Sequence, residues 1–265
     1  MVHPTKEGIA VRQVSVGVTS TQMAELALGA GVFCAEAWSR VSELVAAIVD
    51  HPFNIALAAG DLEPATFAFY MVQDSYYLRG FSRALATAAV RAPCPADSAL
   101  WLASANRAIA MEPELHRNWL TAYGLAQHLE SVAGAAQIEI SLSCLAYSSW
   151  VEATALTSPY PVIAASLLPC FWVYEHVGLA VQERAPERAD HPYRQWITAY
   201  ASTEFAEAAA AARAATERAG AGTTALVREA MLDAFARATE LEWLFWDSAW
   251  RREQWPTKRW RRQPS

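Results

Sequence analysis

Three stretches of this chain place groups capable of chemistry at helical spacing. In "FAFYMVQDSYYLRGFSRAL" Tyr70, Asp74 and Tyr77 fall at i, i+4 and i+7, so a carboxylate shares a helix face with aromatic rings. In "ATELEWLFWDSAW" Glu242, Phe245, Trp246 and Ala249 repeat the pattern, while Glu240 lies about 200° around the helix. A carboxyl buried among rings has a raised pKa and becomes a usable general acid. In "LLPCFWVYEHVG" Cys170 stands directly behind Pro169, with Tyr174 one turn later. A thiol at a helix start meets free N–H groups and the positive end of the dipole, which favour the nucleophilic thiolate.

Each feature also has a purely structural reading. Asp74 could pair with Arg79 or Arg83, Glu242 could be a salt-bridged surface glutamate, and Cys170 could pack as a small hydrophobe. Cys144, in "SLSCLAYSSW", is the rival thiol. Spacing alone leaves these readings open.

The elements that must position these groups read as helices. Apolar residues recur at helical spacing from Thr21 to about Val49. His51-Pro52 starts a short segment ended by Gly60, and Glu63-Pro64 opens a helix over about 64–90. Further helices are predicted from Asp97 or Ser98 toward Met111, and over about 112–133, 143–157, 161–184, 203–219 and 222–252. "ERADHPYRQWITAYAS" repeats the His-Pro-aromatic start. No convincing alternating strand occurs, so the fold class is all-α in a single domain. The organisation expected is an N-terminal extension over 1–20, a helical domain over 21–252 and a basic tail over 253–265.

Composition narrows the function. The 265 residues are 54% hydrophobic and 18% charged, and 11 Trp, 9 Tyr and 9 Phe supply rings for a core or pocket. A net charge of −6 argues against nucleic-acid binding, and Arg251, Arg252, Lys258, Arg259, Arg261 and Arg262 read as a solvated end or oligomer arm. The sequence contains no membrane-length apolar run and no signal-peptide pattern, so the expected location is cytoplasmic, away from the membrane, with reduced cysteines. No CxxC or HExxH occurs, so a zinc site is not expected; Glu112 and His116 could fit a ligand pair but have no matching ExxH partner, which leaves a di-iron site weakly supported.

Taken together, "HPF", "FAFYMVQDSYYLRGFSRAL", "AYSSW", "LLPCFWVYEHVG", "HPYRQWITAY" and "ELEWLFWDSAW" resemble the TenA family (thiaminase II, aminopyrimidine aminohydrolase) over roughly residues 22–252. The resemblance implies a haem-oxygenase-like helical bundle, a homotetramer, and no metal or cofactor. It implies a small-molecule pyrimidine substrate: members hydrolyse aminomethylpyrimidine to hydroxymethylpyrimidine and ammonia, and some cleave thiamin. By motif, Asp74 would hold the amino group and ring nitrogen, with Tyr77 lining the pocket. Tyr147 and Tyr200 would contact the ring, Cys170 would be the nucleophile beside Tyr174, Glu242 the acid/base and Phe245 a ring wall. The intact cysteine motif resembles the branch with a catalytic thiol. Competing readings are a relative recruited to another heteroaromatic amine, a non-catalytic binding or regulatory paralogue, and a haem or di-iron oxygenase.

Overall fold

A proline or a capping side chain starts most of the helices. The computed structural model describes residues 31–110, 139–188 and 190–260. The helix expected over 112–133, with Glu112 and His116, lies outside the described residues. Among the described residues ten α-helices follow in order: α1 (Val32–Val49), α2 (Pro52–Ala59), α3 (Pro64–Arg91), α4 (Pro95–Ala110), α5 (Leu142–Thr157), α6 (Tyr160–Leu167), α7 (Pro169–Arg184), α8 (Arg194–Tyr200), α9 (Thr203–Gly220) and α10 (Ala225–Arg251). Among the described residues there is no strand, and the class is all-α.

The long helices α3 and α10 carry the two carboxylate stripes. α3 packs on α4 and α5, while α10 packs on α6, α1 and α5. Between them α6 is buried on nearly every face, from Tyr160 through Leu167. A helix apolar all round belongs in such a core. The stretch Tyr160–Arg184 is apolar and long enough to span a membrane, yet most of it is buried inside the bundle.

The helix expected over 161–184 is two helices. Pro169 has no N–H to give and its ring collides with the preceding turn, so it stands at the first position of α7. Leu168 between them keeps α-helical angles (φ −61°, ψ −38°), so the chain passes from α6 to α7 without opening a loop.

The two His-Pro-aromatic starts are one device used twice. His51 Nδ1 accepts from the Phe53 N–H at 3.2 Å, and His191 Nδ1 accepts from the Tyr193 N–H at 3.2 Å. Each imidazole thereby satisfies a helix-start donor, as Ser or Asp does elsewhere. With its Nδ1 accepting, the His191 ring is assigned the Nε2–H tautomer, which donates to the Ala58 carbonyl at 3.0 Å near the end of α2. Gly60 closes α2 in the left-handed region, φ +81°, where a side chain is strained.

Beyond α10 the chain folds back. The Glu253 carboxylate accepts from the Ser143 N–H at 2.9 Å, and Trp255 Nε1 donates to the Ile140 carbonyl at 2.8 Å. These bonds hold the start of α5, and hence Tyr147, against the end of α10.

Candidate active site

Asp74, Cys170, Tyr174 and Tyr200 arrive from α3, α7 and α8 at one cavity of about 320 Å³. That volume lies at the small end of the range for small-molecule sites. Trp196 and Phe171 complete this end, and Tyr174 and Tyr200 face each other with ring centroids 5.2 Å apart. Gly178 makes the approach of α8 possible: a Cβ there would lie 2.7 Å from the Tyr200 carbonyl oxygen, far inside contact distance.

Tyr77, Tyr147, Glu242 and Phe245 do not line the open cavity. They form a packed wall behind it, each nearly or wholly buried. Tyr77 and Tyr147 have centroids 4.5 Å apart, and Tyr77 and Phe245 5.9 Å. Inside this wall the Tyr147 hydroxyl donates to Glu242 Oε1 at 2.7 Å. Glu242 is only 1% exposed, and burial pushes its carboxyl up to about 8. The Tyr147 hydrogen bond works against that rise and the charge of Asp74 adds to it. Glu240 sits outside and pairs with Arg237.

Cys170 is partly exposed, opening on the cavity at the second position of α7. The expectation that a helix start favours its thiolate is corrected: burial raises the thiol well above its ordinary value. The charges of Glu242 and Asp74 add to that rise, while the Tyr77 hydroxyl opposes it. The physical reason is that α6 runs into α7 through a helical Leu168, so the dipole has no free end, and the apolar surroundings prevail. Such a thiol needs a base to take its proton.

Of the alternatives for Asp74, Arg83 instead pairs with Glu152 at 3.3 Å, and the Arg79 guanidinium lies over the Tyr76 ring. Asp74 itself is 7% exposed. The rival thiol Cys144 is fully buried and its Sγ–H donates to the Gln73 carbonyl at 3.2 Å, a packing role.

The stripes that carry the two carboxylates bring further buried polar groups with them, and α4 adds residues that the sequence reading missed. The Tyr70 ring is stacked on Trp246 at 5.1 Å and 7°, and its wholly buried hydroxyl has no well-formed hydrogen bond. Trp196 Nε1 is likewise wholly buried without a well-formed one. Arg107 and Ser104 of α4, which also line the cavity, gave no signal because α4 reads as an ordinary amphipathic helix.

The sequence and the fold have counterparts among known proteins. The family model described as TENA/THI-4/PQQC matches residues 38–252. The chain is 33% identical over 222 residues to the "Thiamine biosynthesis multifunctional protein ThiED" of Corynebacterium efficiens, covering 84% of this chain but 29% of that longer protein. It is 28% identical to the "Aminopyrimidine aminohydrolase" of Halalkalibacterium halodurans, covering 84% of this chain and 97% of that one. Among solved structures, the TenA homologue from P. horikoshii OT3 superposes with a TM-score of 0.70 at 25% identity, over 83% of this chain and 98% of the other.

Proposed function

The chain belongs to the TENA/THI-4/PQQC family, and on that premise we propose that it hydrolyses an aminomethylpyrimidine of thiamin salvage, giving the hydroxymethylpyrimidine and ammonia. The observation that carries this reading is a carboxyl held near 8, Glu242, behind a cavity that presents a thiol and a carboxylate together. A site for displacement at an electron-poor ring needs those three groups.

The ring resists displacement at its side-chain carbon until its aromaticity is broken. Asp74 accepts hydrogen bonds from the amidine edge, fixing which ring carbon faces Cys170. Glu242 takes the thiol proton as the sulfur adds to the carbon beside the substituent. It passes that proton to a ring nitrogen, so the electron pair displaced by sulfur ends as a neutral enamine. As the ring N–H returns its proton through Glu242 to the departing nitrogen, the enamine expels ammonia from the exocyclic methylene; water adds there, its proton going back to the ring nitrogen, and the thiol leaves with that proton as aromaticity returns. A carboxyl near 8 suits both halves of this transfer at neutral pH. Tyr147 holds one Glu242 oxygen, leaving the other to carry the proton.

Tyr77, Tyr147 and Phe245 shape the wall, and Tyr174 and Tyr200 face the bound ring. The resemblance further supports a cytoplasmic homotetramer, which light scattering on the purified chain checks. The experiment for the reaction is ammonia release from 4-amino-5-aminomethyl-2-methylpyrimidine. The parent turns over, and Cys170→Ser and Glu242→Gln each lose about 100-fold or more, as removal of a nucleophile or general acid requires. An active Cys170→Ser, or a folded but inactive parent, overturns the reading.

A further inference from the structure

One wall of the cavity has no part in the chemistry above. α4 presents Leu100, Ala103, Ser104 and Arg107 to it at i, i+3, i+4 and i+7, and α9 presents Phe205 and Ala208. With the ring held between Asp74 on α3 and Cys170 on α7, this lobe is the space left for the group that departs. It is apolar apart from Ser104 and Arg107.

Arg107 is the only cation among the described residues that line the cavity, and Asp74 the only carboxylate. Its guanidinium pairs with Glu204 of α9 at 2.7 Å. The pair is lopsided: the Arg107 side chain is 36% exposed and the Glu204 side chain 72%. Water and salt screen the outward carboxylate more than the cation set against apolar wall. Of the pair, only the guanidinium lines the lobe; the carboxylate does not.

We propose that Arg107 makes the α4–α9 lobe selective for leaving groups that are neutral or bear a hydrogen-bond acceptor, and hostile to fixed cations. The inference rests on the functional reading above and sharpens it into a choice of substrate. An aminomethyl group sheds its proton and enters as the free base. The quaternised thiazolium of thiamin has no proton to shed and meets the guanidinium as a cation. Arg107 N–H groups and the Ser104 hydroxyl also offer donors to a carbonyl carried on the amine.

The test compares kcat/KM for thiamin with kcat/KM for the aminomethylpyrimidine in the parent, Arg107→Gln and Glu204→Gln, each checked for an unchanged melting temperature. Removing the cation raises the thiamin-to-amine ratio about tenfold, and removing its counter-ion lowers the ratio about threefold. A ratio that moves in neither variant, or in the opposite sense, overturns the proposal. Calorimetry on the Cys170→Ser protein separates this from the reaction itself. Thiamin binding is tightened by adding Arg107→Gln; binding that is not tightened, including none in either protein, overturns the lobe's role. Loss of amine hydrolysis by the folded parent overturns the functional reading instead.

Discussion

The Tyr147 hydroxyl donates to Glu242 Oε1 at 2.7 Å, joining α5 to α10 inside a wall of rings. This bond favours the carboxylate and so opposes the rise that burial imposes on Glu242. Tyr147→Phe removes the opposition, and the Glu242 carboxyl moves higher still. Because Glu242 must start ionised to take the Cys170 proton, the acidic limb of the pH–rate profile then shifts to higher pH. The bond lost is one to an ionisable group, so kcat/KM falls roughly tenfold. An unmoved acidic limb in Tyr147→Phe would separate this bond from the chemistry.

Glu242 also makes stability depend on pH. Its folded value near 8 lies above the ordinary 4.5, so the fold prefers the neutral form. Stability is therefore greatest below about 4.5 and declines as pH rises toward 8, above which both states are ionised. Glu242→Gln has no such decline. Melting curves from pH 5 to 8 should show the variant gaining on the parent by about 1 kcal/mol per pH unit. A constant gap across that range contradicts the buried neutral carboxyl.

The four cysteines should separate by reactivity. Cys34 and Cys144 are fully buried, and burial pushes the Cys34 thiol up to about 12 and Cys144 higher still. Cys94 and Cys170 are partly exposed. In the native protein iodoacetamide modifies Cys94 and Cys170, and a neutral aminopyrimidine protects Cys170 alone. Peptide mapping that finds Cys144 modified first, or Cys170 unprotected, contradicts the cavity assignment.

Gly178 governs where Tyr200 stands. A methyl group at that position drives into the Tyr200 carbonyl at 2.7 Å, and backbone gives way poorly. Gly178→Ala should cost about 1–3 kcal/mol of stability and raise KM several-fold through the displaced ring. Steady-state kinetics beside a melting curve test both; an unchanged KM would free Tyr200 from the binding face.

Much of this site is legible in the sequence because it lies on helices. Asp74 and Glu242 sit at i and i+4 relations to rings, and that periodicity survives into the structure as buried stripes. What periodicity cannot carry is which faces meet. Nothing local distinguishes Tyr174, which lines the cavity, from Tyr147, which backs it, because that depends on how α7 and α5 pack. The break before Cys170 was signalled by Pro169, but its effect on the thiol depends on α6 arriving in line. Arg107 looks like any solvated arginine until α9 brings Glu204 and Phe205 alongside.

The two His-Pro turns have a consequence for acid tolerance. Each works only while its imidazole Nδ1 lacks a proton, because a doubly protonated ring has nothing to accept with. Burial lowers the His51 pKa below 6.5, so its contribution is complete above that pH and lost as pH falls through the lower folded value. The two turns grip opposite ends of α2, one starting it and the other holding the Ala58 carbonyl. Protonating the His51 ring therefore loosens the start of an eight-residue helix whose other end the second turn holds, so two dipeptides far apart in the chain serve one element.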